Sequence, residues 1–406
     1  MDSTAISASE QEATQAESLI IVPDTEHDRY ATFGFISWWD QEKLRRATVL
    51  VAGAGALGNE VIKNLALLGV GRLLIVDFDT IESANLSRSV LFREGDQGRK
   101  KAQVAAEAAR QMNPDLQVRW IHGDLTQKLG LGVFRRVEAV IGCLDNREAR
   151  LFINRACWKV GHPWVDGAMQ EMLGEARVFW PGRGACYECT LGPADYQAMN
   201  LRYSCSALPR DLVMEGKIPT TPTVAAIIGG LQTQEALKLL HGMEVRPGTG
   251  LVFNGLTNDV YNITYPVKAD CLSHQRYTPI EECPDLSAAK TTIGDMLDCV
   301  RQRMGKDAVL ELDFELLEMF ECVHGHPPTQ VLQPVERVKE SAAVCPICGS
   351  SRWPHQTHVI QGTESFLRKT LAEIGIPSLH VLIGRSGDTR RYFELTGDEG
   401  TVFHFS

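Results

Sequence analysis

The residues with the clearest chemical meaning form a glycine-rich turn after an aliphatic run, reading Gly53-Ala-Gly55-Ala-Leu-Gly58. About twenty residues later a second apolar run ends in Asp77. In a strand–turn–helix unit of this kind, the first glycine permits the tight turn and the second lets the backbone approach a phosphate. The third lets the helix pack on the strand, and the acidic residue binds ribose hydroxyls. The pattern predicts a nucleotide site, and the alternative is a doubly wound domain whose glycines serve packing only.

Polar side chains follow where the next predicted elements begin or end. They are two amides, three charged groups of the kind that bind phosphate or metal, and a second aspartate: Asp79, Asn85, Arg88, Lys101, Asp145 and Asn146. Open parallel sheets bind ligands at the carboxyl ends of their strands, so we expect these side chains to share one edge. Arg88 and Lys101 suit a triphosphate, and Asp145 suits Mg²⁺, which prefers carboxylate and phosphate oxygens. The diphosphate of NAD needs none of this charge, so the set predicts ATP.

In this order the motifs resemble those of the ThiF/MoeB superfamily, to which the adenylation domains of ubiquitin-activating enzymes also belong. The matching stretch runs from about Arg29 to His274 and includes Asp-x-Asp, Asn-Leu-x-Arg and Cys-x-Asp-Asn-x-x-x-Arg. The resemblance implies an α/β fold with a Rossmann-like, doubly wound mixed sheet. It also implies an adenylyltransferase that activates the C-terminal glycine of a ubiquitin-like or sulfur-carrier protein with ATP.

The resemblance assigns a role to each polar residue of the site. Asp77 would bind ribose, Asn85, Arg88 and Lys101 the phosphates, and Asp145 the metal. Cations and Mg²⁺ are needed because the attacking carboxylate and the triphosphate are both anions, and charge develops as pyrophosphate leaves. No general base is needed, because the carboxylate is already ionised near neutral pH.

The chain departs from the superfamily at its opening motif. Members usually begin with Arg-Tyr-x-Arg-Gln, whose second arginine reaches the ATP of the partner subunit, whereas here the sequence is Arg29-Tyr30-Ala-Thr32-Phe. Either Arg29 substitutes for that arginine or the contact between subunits is lost. Ser89 likewise stands where a glutamine is usual. A homodimer remains the expectation from the resemblance.

A single cysteine, Cys205, lies in the segment 196–222, which corresponds to the crossover loop of the superfamily. In many members this loop bears the cysteine that accepts the acyl group as a thioester, before transfer to a conjugating enzyme. A thiolate can attack the mixed anhydride if neighbours such as Arg202 or Arg210 lower its pKa. The alternatives are an inert cysteine, adenylation alone with sulfur supplied by a separate persulfide donor, or a non-catalytic partner subunit.

Two pairs of metal-ligand residues flank this segment, Cys186-Tyr-Glu-Cys189 and Cys271-Leu-Ser-His274. Three thiolates and one imidazole complete a tetrahedral Zn²⁺ site with no open position, which is structural rather than catalytic. Members of the superfamily place a second Cys-x-x-Cys at the later position, and His274 stands in for its final cysteine. A redox Cys-x-x-Cys at the first pair is the alternative, although no thioredoxin-like context surrounds it.

A further pair, Cys345-Pro-Ile-Cys348, has the composition of a zinc ribbon. Upstream, a strand-like run ends at Cys322-Val-His324-Gly-His326. The spacing predicts a second zinc site from Cys322, one of the two histidines, and the later cysteine pair. Pairing of the later cysteines with Cys186 and Cys189 is the alternative. Cys283 and Cys299 are expected to pack or to have no function.

Composition places the chain among globular proteins, with 406 residues, 44% hydrophobic and 23% charged. Its start lacks the apolar region of a signal peptide, and no stretch is long enough for a membrane span. Eleven cysteines in metal-ligand spacing predict a reducing, cytoplasmic environment and zinc rather than disulfides. The net charge of −10 argues against nucleic acid as the main partner.

The pattern divides the chain into a flexible N-terminal tail (1–28), an adenylation domain (29–275), a linker (276–290) and a small α+β domain with a zinc ribbon (291–406). In the last part we expect a helix at 292–305, strands near 308–321, an amphipathic helix at 363–374 and a hairpin of 378–384 with 390–396. No family is indicated for this domain, which would be either a packing appendage or a docking surface for the modifier or a conjugating enzyme.

Overall fold

The computed structural model describes residues 26–197 and 219–405, which form two sheets with helices packed against them. The first domain contains, in chain order, α1 (Gln41–Arg46), β1 (Thr48–Ala52), α2 (Ala56–Leu67), β2 (Arg72–Asp77), α3 (Lys101–Met112), β3 (Gln117–His122), α4 (Leu125–Lys128), α5 (Leu131–Arg135), β4 (Ala139–Gly142), α6 (Arg147–Val160), β5 (Trp164–Gln170), β6 (Leu173–Phe179), α7 (Tyr187–Thr190), α8 (Pro222–His241), β7 (Thr249–Asn254) and β8 (Asp259–Thr264).

The sheet of this domain has eight strands in the order β3-β2-β1-β4-β5-β6-β7-β8. The strands from β3 to β5 are parallel, and those from β5 to β8 pair antiparallel. The order reverses between β1 and β4, where both crossovers leave the carboxyl ends of neighbouring strands open to a ligand. The predicted doubly wound mixed sheet is confirmed.

Strand β1 shows why its sequence is apolar throughout. Val49 and Val51 belong to the core under α2, α3 and α8, whereas Leu50 and Ala52 belong to the core under α5 and α6. All five residues of the strand are buried, because side chains alternate between two covered faces.

The second domain contains β9 (Ile280–Glu282), α9 (Ile293–Met304), β10 (Val309–Cys322), β11 (Thr329–Pro334), β12 (Arg352–Ile360), β13 (Val381–Ser386), β14 (Thr389–Glu394) and α10 (Glu399–Val402). Its six strands follow the order β11-β10-β13-β14-β9, with β12 pairing along β10. The expected helix is present as α9, which begins at a capping box of Thr292 and Asp295. The expected hairpin is present as β13 and β14.

The segment 276–290, predicted to be a linker, is instead built into the second sheet. Its residues Ile280–Glu282 form β9, which pairs parallel with β14. Cys283 follows directly, is 3% exposed and donates its backbone N–H to the Glu394 carbonyl. The segment has little periodicity because a three-residue strand is too short to show any.

The predicted amphipathic helix at 363–374 is wrong. The segment forms turns and ends in a single 3-10 turn, Ala372–Ile374. Its carbonyls at Leu367 and Lys369 accept the backbone N–H groups of Gly294 and Ile293. The two carbonyls accept the N–H groups that an α-helix leaves unpaired at its start. They are therefore not available for hydrogen bonds within a helix at 363–374.

One of the hydrophobic cores contains residues of both domains. Leu131, Val133 and Phe134 of α5 lie in the same cluster as Val381 and Tyr392 of the second sheet. The fully buried carboxylate of Glu394 accepts hydrogen bonds from Arg135 and Arg136 at the end of α5. The second domain is therefore packed on the first through both apolar and charged contacts.

Among the residues that the structure describes, none of the helices is long and apolar enough to cross a membrane.

Candidate nucleotide site and metal centres

A cavity of about 1020 Å³ opens at the carboxyl ends of β1, β2 and β4. The side chains and glycines that sequence analysis assigned to the nucleotide site line it, with the exception of Gly58: Gly53, Gly55, Asp77, Asp79, Asn85, Arg88, Lys101, Asp145 and Asn146. Residues some ninety positions apart in the chain thus meet at one edge of the sheet, as the motif order predicted.

A side chain is excluded at Gly53 and Gly58 by close backbone contacts, whereas Gly55 borders open space. Gly53 adopts φ +98°, and a Cβ there would lie 2.3 Å from the Cys143 carbonyl oxygen. A Cβ on Gly58 would lie 2.0 Å from the Gly53 carbonyl oxygen, so Gly58 allows α2 to pack closely on the turn. A Cβ on Gly55 would meet nothing within 4 Å. Gly55 therefore leaves open the side of the turn that faces the cavity.

Asp77 holds the glycine turn in place. Its carboxylate accepts the backbone N–H groups of Ala54 and Asp79, each at 2.7 Å. Burial raises the pKa of Asp77, although these two bonds and the charge of Lys101 oppose the rise. A half-buried carboxylate that lines the cavity and has further acceptor capacity can accept ribose hydroxyls.

Lys101 lies at the start of α3 and is almost buried. Its ammonium donates to the Asp79 carboxylate at 2.7 Å, which fixes its direction at the cavity wall. Within the described part of the chain, the Arg88 guanidinium bonds locally, from Nη1 to the Ala84 carbonyl at 3.0 Å. Asn85 is buried, and its side chain accepts the backbone N–H of Glu82 at 2.9 Å. Most N–H groups of Arg88 are therefore available to a ligand, whereas the Asn85 side chain stabilises the turn that carries Arg88.

Asp145 and Asn146 divide two tasks between them. Asn146 is the N-cap of α6, and its side-chain oxygen accepts the backbone N–H of Ala149 at 2.8 Å. Its amide nitrogen lies 3.3 Å from the Asp145 carboxylate. Asp145 is exposed to the cavity and takes no part in the cap. The carboxylate predicted to bind metal is thus the one that the helix does not use.

A buried charge network under the cavity was missed by sequence reasoning. Asp166 is fully buried and accepts hydrogen bonds from Arg150 at 3.0 Å and Arg177 at 3.1 Å. Burial by itself would lower the pKa of Arg177, but the charge of Asp166 outweighs burial and raises it. Arg150 also donates to the carbonyls of Leu144 and Gly167, which ties α6 to β5. Only Arg150 carried a signal in the sequence, as the end of the Cys-x-Asp-Asn motif.

The charges of the cavity favour a ligand that brings a metal. Among the described residues that line it, eight are carboxylates and five are cationic. A triphosphate adds further negative charge, so the cationic side chains alone cannot neutralise it. Asp145 supplies the oxygen ligand that Mg²⁺ prefers, and the donor set therefore fits a magnesium–nucleotide complex.

Cys186, Cys189, Cys271 and His274, the first metal cluster, come together although some eighty residues separate the two pairs. Their ligand atoms all lie within 4.8 Å of one another. Cys186 Sγ is 3.7 Å from Cys189 Sγ and 3.5 Å from Cys271 Sγ, and Cys189 Sγ is 3.4 Å from His274 Nε2. The His274 ring stacks on Trp158 with centroids 4.1 Å apart. This donor set fits a Zn²⁺ ion with tetrahedral coordination and no open position.

Cys322, His326, Cys345 and Cys348, the second metal cluster, also have their ligand atoms within 4.8 Å of one another. His324 is not one of these four residues, although its Nδ1 lies 3.6 Å from Cys348 Sγ. The pairing of Cys345 and Cys348 with the first cluster, left open by the sequence, is excluded by this arrangement.

The remaining predicted residues have separate outcomes. Cys205, with Arg202 and Arg210, lies outside the described residues. Cys283 and Cys299 pack in the second domain, 3% and 9% exposed. Arg29 donates to the Met112 carbonyl at the end of α3, at 3.1 Å.

The chain matches the ThiF family over residues 27–273. It is 32% identical to ubiquitin-like modifier-activating enzyme 5 of Dictyostelium discoideum over 213 residues, 49% of this chain and 54% of the relative. It is 31% identical to adenylyltransferase and sulfurtransferase MOCS3-1 of Drosophila pseudoobscura pseudoobscura over 230 residues, 56% of this chain and 48% of the relative. The chain thus spans about half the length of these relatives.

A solved structure titled E. coli MccB with ATP has a similar fold, with a TM-score of 0.51 and 20% identity. The alignment covers 62% of this chain and 75% of MccB. This likeness concerns the fold. From its matched residues, this chain belongs to the ThiF family.

Proposed function

We propose that this protein activates the C-terminal carboxylate of a ubiquitin-like or sulfur-carrier protein by ATP-dependent adenylation. The observation that carries the proposal is the single cavity that gathers the glycine turn, Asp77, Lys101, Arg88 and Asp145. Membership of the ThiF family supports it, as do relatives named as a modifier-activating enzyme and as an adenylyltransferase.

The chemistry follows from charge. A carboxylate oxygen of the modifier attacks the α-phosphorus of ATP, the bond to the bridging oxygen breaks, and pyrophosphate leaves with the electron pair. Asp145 would hold Mg²⁺, which supplies positive charge to the phosphate oxygens. Lys101, directed by Asp79, and Arg88 would stabilise the charge that develops on the leaving pyrophosphate. The buried network under the cavity holds the backbone next to Asp145, because Arg150 donates to the Leu144 carbonyl as well as to Asp166.

The product, an acyl adenylate, has two proposed fates. In the first, the Cys205 thiolate attacks the carbonyl carbon, AMP leaves, and the resulting thioester is passed to a conjugating enzyme. In the second, Cys205 takes no part and a separate persulfide donor supplies sulfur. The two named relatives differ in the same sense, since one is a modifier-activating enzyme and the other an adenylyltransferase and sulfurtransferase.

Zinc at the first metal cluster would be structural. The three thiolates and the imidazole leave no open position, and the cluster joins α7 to the segment after β8. Zinc there would hold α7, which precedes the crossover segment, against the chain that follows β8. A homodimer is proposed from the family alone, because the arginine expected to reach the partner's ATP is Thr32 here.

The decisive measurement is ATP–pyrophosphate exchange with a small protein that ends in glycine. We expect exchange that depends on the modifier and that disappears when its terminal carboxylate is converted to an amide. Absence of exchange with every glycine-terminated candidate from the same genome would contradict adenylation and favour a non-catalytic subunit. The amide control separates a reacting carboxylate from a modifier that is merely bound.

The two fates are separated by the substitution Cys205→Ala. If Cys205 accepts the acyl group, the variant retains exchange and forms no thiol-sensitive adduct with the modifier, whereas the unmutated enzyme forms one. An adduct that persists in Cys205→Ala would show that another cysteine is the acceptor. Active exchange with no adduct in the unmutated enzyme would favour the sulfur-transfer route.

A further inference from the structure

The second metal cluster lies outside residues 27–273, which match the ThiF family, and the proposed adenylation makes no use of it. Its ligands come from two places that β-pairing brings together. Cys322 ends β10 and pairs in register with Arg352, the first residue of β12. Cys345 and Cys348 lie in the turn just before β12, and His326 lies in the turn just after β10.

The distances within the cluster match those of a bound tetrahedral ion. Zn–S bonds of ~2.3 Å and Zn–N bonds of ~2.0 Å at tetrahedral angles place two sulfurs about 3.8 Å apart and a sulfur and a nitrogen about 3.5 Å apart. Cys322 Sγ lies 3.6 Å from Cys348 Sγ and 3.3 Å from His326 Nδ1. Cys345 Sγ lies 3.6 Å from the same nitrogen. A disulfide would need sulfurs ~2.05 Å apart, so the cysteines are arranged around a centre and not bonded in pairs.

Two tight turns present these ligands. Gly325 has φ +76° and donates its N–H to the Cys322 carbonyl, and Gly349 has φ +71° and donates to the Cys345 carbonyl. Each turn reverses the chain direction within a few residues. The second ligand of each pair therefore lies beside the first. The glycines are needed because other residues rarely adopt positive φ.

The geometry distinguishes the two histidines. His326 Nδ1 lies within reach of two cluster sulfurs, at 3.3 and 3.6 Å, whereas His324 Nδ1 approaches one, Cys348 Sγ at 3.6 Å. His324 also donates its backbone N–H to Cys322 Sγ at 3.4 Å. Backbone donors of this kind orient a metal-bound thiolate and partly neutralise its charge.

The two clusters differ in their access to solvent. Each cluster has two buried cysteines. In the first cluster Cys271 and His274 are half-buried, and the His274 ring stacks on Trp158. In the second cluster His326 is half-buried and Cys348 is exposed. A chelator can therefore reach one ligand of the second cluster directly, at Cys348, whereas none of the four ligands of the first cluster is fully exposed.

We propose that Cys322, His326, Cys345 and Cys348 bind a second structural Zn²⁺, which clamps the β10–β12 ribbon and exchanges faster than the zinc of the first cluster. The ion would close the distal end of the second sheet, where β10 and β12 run beyond the contact with β13. The proposal does not rest on the proposed function and stands if adenylation is disproved.

Metal analysis of protein purified without chelator tests the first part. We expect about two zinc ions per chain, and about one in Cys348→Ser and in His326→Ala. His324→Ala and the buried-cysteine control Cys283→Ala should keep both ions. One ion or fewer in the unmutated protein, or loss from His324→Ala with retention in His326→Ala, would overturn the assignment.

Release of zinc from the unmutated protein tests the order of exchange and needs no variant to fold. With an excess of a chromogenic zinc chelator, we expect two phases of similar amplitude, the faster one absent in Cys348→Ser. A single phase for both ions would overturn the difference in exchange. Refilling of Cys189→Ala with Co²⁺ should give the intense visible absorption of tetrahedral cobalt bound to three thiolates and one imidazole, and its absence would count against the site. ATP–pyrophosphate exchange is measured separately, so failure of either proposal is recognised by itself.

Discussion

Single residues set the charge of the nucleotide site. Asp145 is the most exposed of them, so its substitution gives the clearest test. It follows β4, points to the cavity and is free of the helix cap, which Asn146 provides. We expect Asp145→Ala to lower modifier-dependent exchange by a factor on the order of 10²–10³, because a ligand of the required metal is lost. The fold should be unaffected, since no buried contact is removed.

The matched control is Asp115→Ala, which removes the same charge from an exposed position before the amino end of β3. It should leave exchange unchanged. Near-normal exchange in Asp145→Ala at ordinary Mg²⁺ concentrations would contradict the metal-binding role.

Asp166 gives the second test at this scale, because two arginines depend on it. Asp166→Ala leaves Arg150 and Arg177 buried without their shared partner, and we expect a loss of about 3–5 kcal/mol in the free energy of unfolding. Urea denaturation measures this loss. Asp166→Asn keeps acceptor capacity and the side-chain volume, so it should cost less; equal stability of Asp166→Ala and the unmutated protein would show that the network is not needed.

The sequence located the cavity residues because their spacing and position after apolar runs carry information. Asp145 and Lys101 were found in this way. Asp166 was not, since a single aspartate within a strand has no local pattern that distinguishes a buried partner from a surface residue. Its environment depends on Arg177, which reaches it only through the antiparallel pairing of β5 and β6.

At the scale of elements, zinc would reinforce the contact between α7 and the segment after β8, where the Ser273 hydroxyl donates to the Glu188 carboxylate. Cys189 lies in the short helix α7, and its partner Cys271 follows β8. We expect Cys189→Ala to lose about one zinc ion per chain and to unfold at a lower temperature, because structural zinc contributes folding free energy directly, on the order of 10 kcal/mol in small metal-folded domains.

Cys283→Ala is the control, since it replaces a buried cysteine of similar size that belongs to neither cluster. Its zinc content should be unchanged. Loss of stability in Cys189→Ala without loss of metal would mean that the thiol serves packing only.

Elements with strong local signals were predictable, and those fixed by distant contacts were not. Helix α9 has a capping box and a terminal glycine, so its bounds followed from sequence. The segment 363–374 has apolar residues at helical spacing, but three of them, including Phe366 and Leu371, are buried as anchors of a turn. Its carbonyls bond to the start of α9, a demand that only the tertiary structure makes.

At the scale of the whole molecule, the second domain is packed on the first and is not merely tethered to it. The predicted boundary near residue 275 remains a proposal for where one domain ends and the next begins. Side chains from both sides of this boundary pack in one hydrophobic core. Tyr277, just past that boundary, stacks on Tyr392 of β14 with centroids 4.2 Å apart. The sequence could not show this, because α5 has too few residues to reveal which of its faces is covered.

A charged contact between the domains makes their packing sensitive to pH. Asp313 of β10 accepts from the Lys159 ammonium of α6 at 3.1 Å and lies 3.3 Å from His380 Nε2. Burial by itself would raise the pKa of Asp313, but the charges of Lys159 and His380 outweigh burial and hold the pKa well below its ordinary value. A carboxyl whose pKa is depressed by folding contributes stability above its unfolded-state pKa, near ~4, and this contribution is lost as the pH falls toward the folded-state value.

We therefore expect Asp313→Asn to lower the free energy of unfolding by about 1–3 kcal/mol at pH 7, and the difference from the unmutated protein to shrink below about pH 4. Asp388→Asn, in the exposed turn between β13 and β14, removes the same charge without an ion pair and should have little effect at either pH. Urea denaturation at several pH values, followed by tryptophan fluorescence and by circular dichroism, measures both variants. A loss of stability in Asp313→Asn that is the same at pH 3 and pH 7 would show that the side chain acts by packing and not by charge. Separate transitions of the two domains in the unmutated protein would contradict the shared core, because domains that share buried side chains should unfold together.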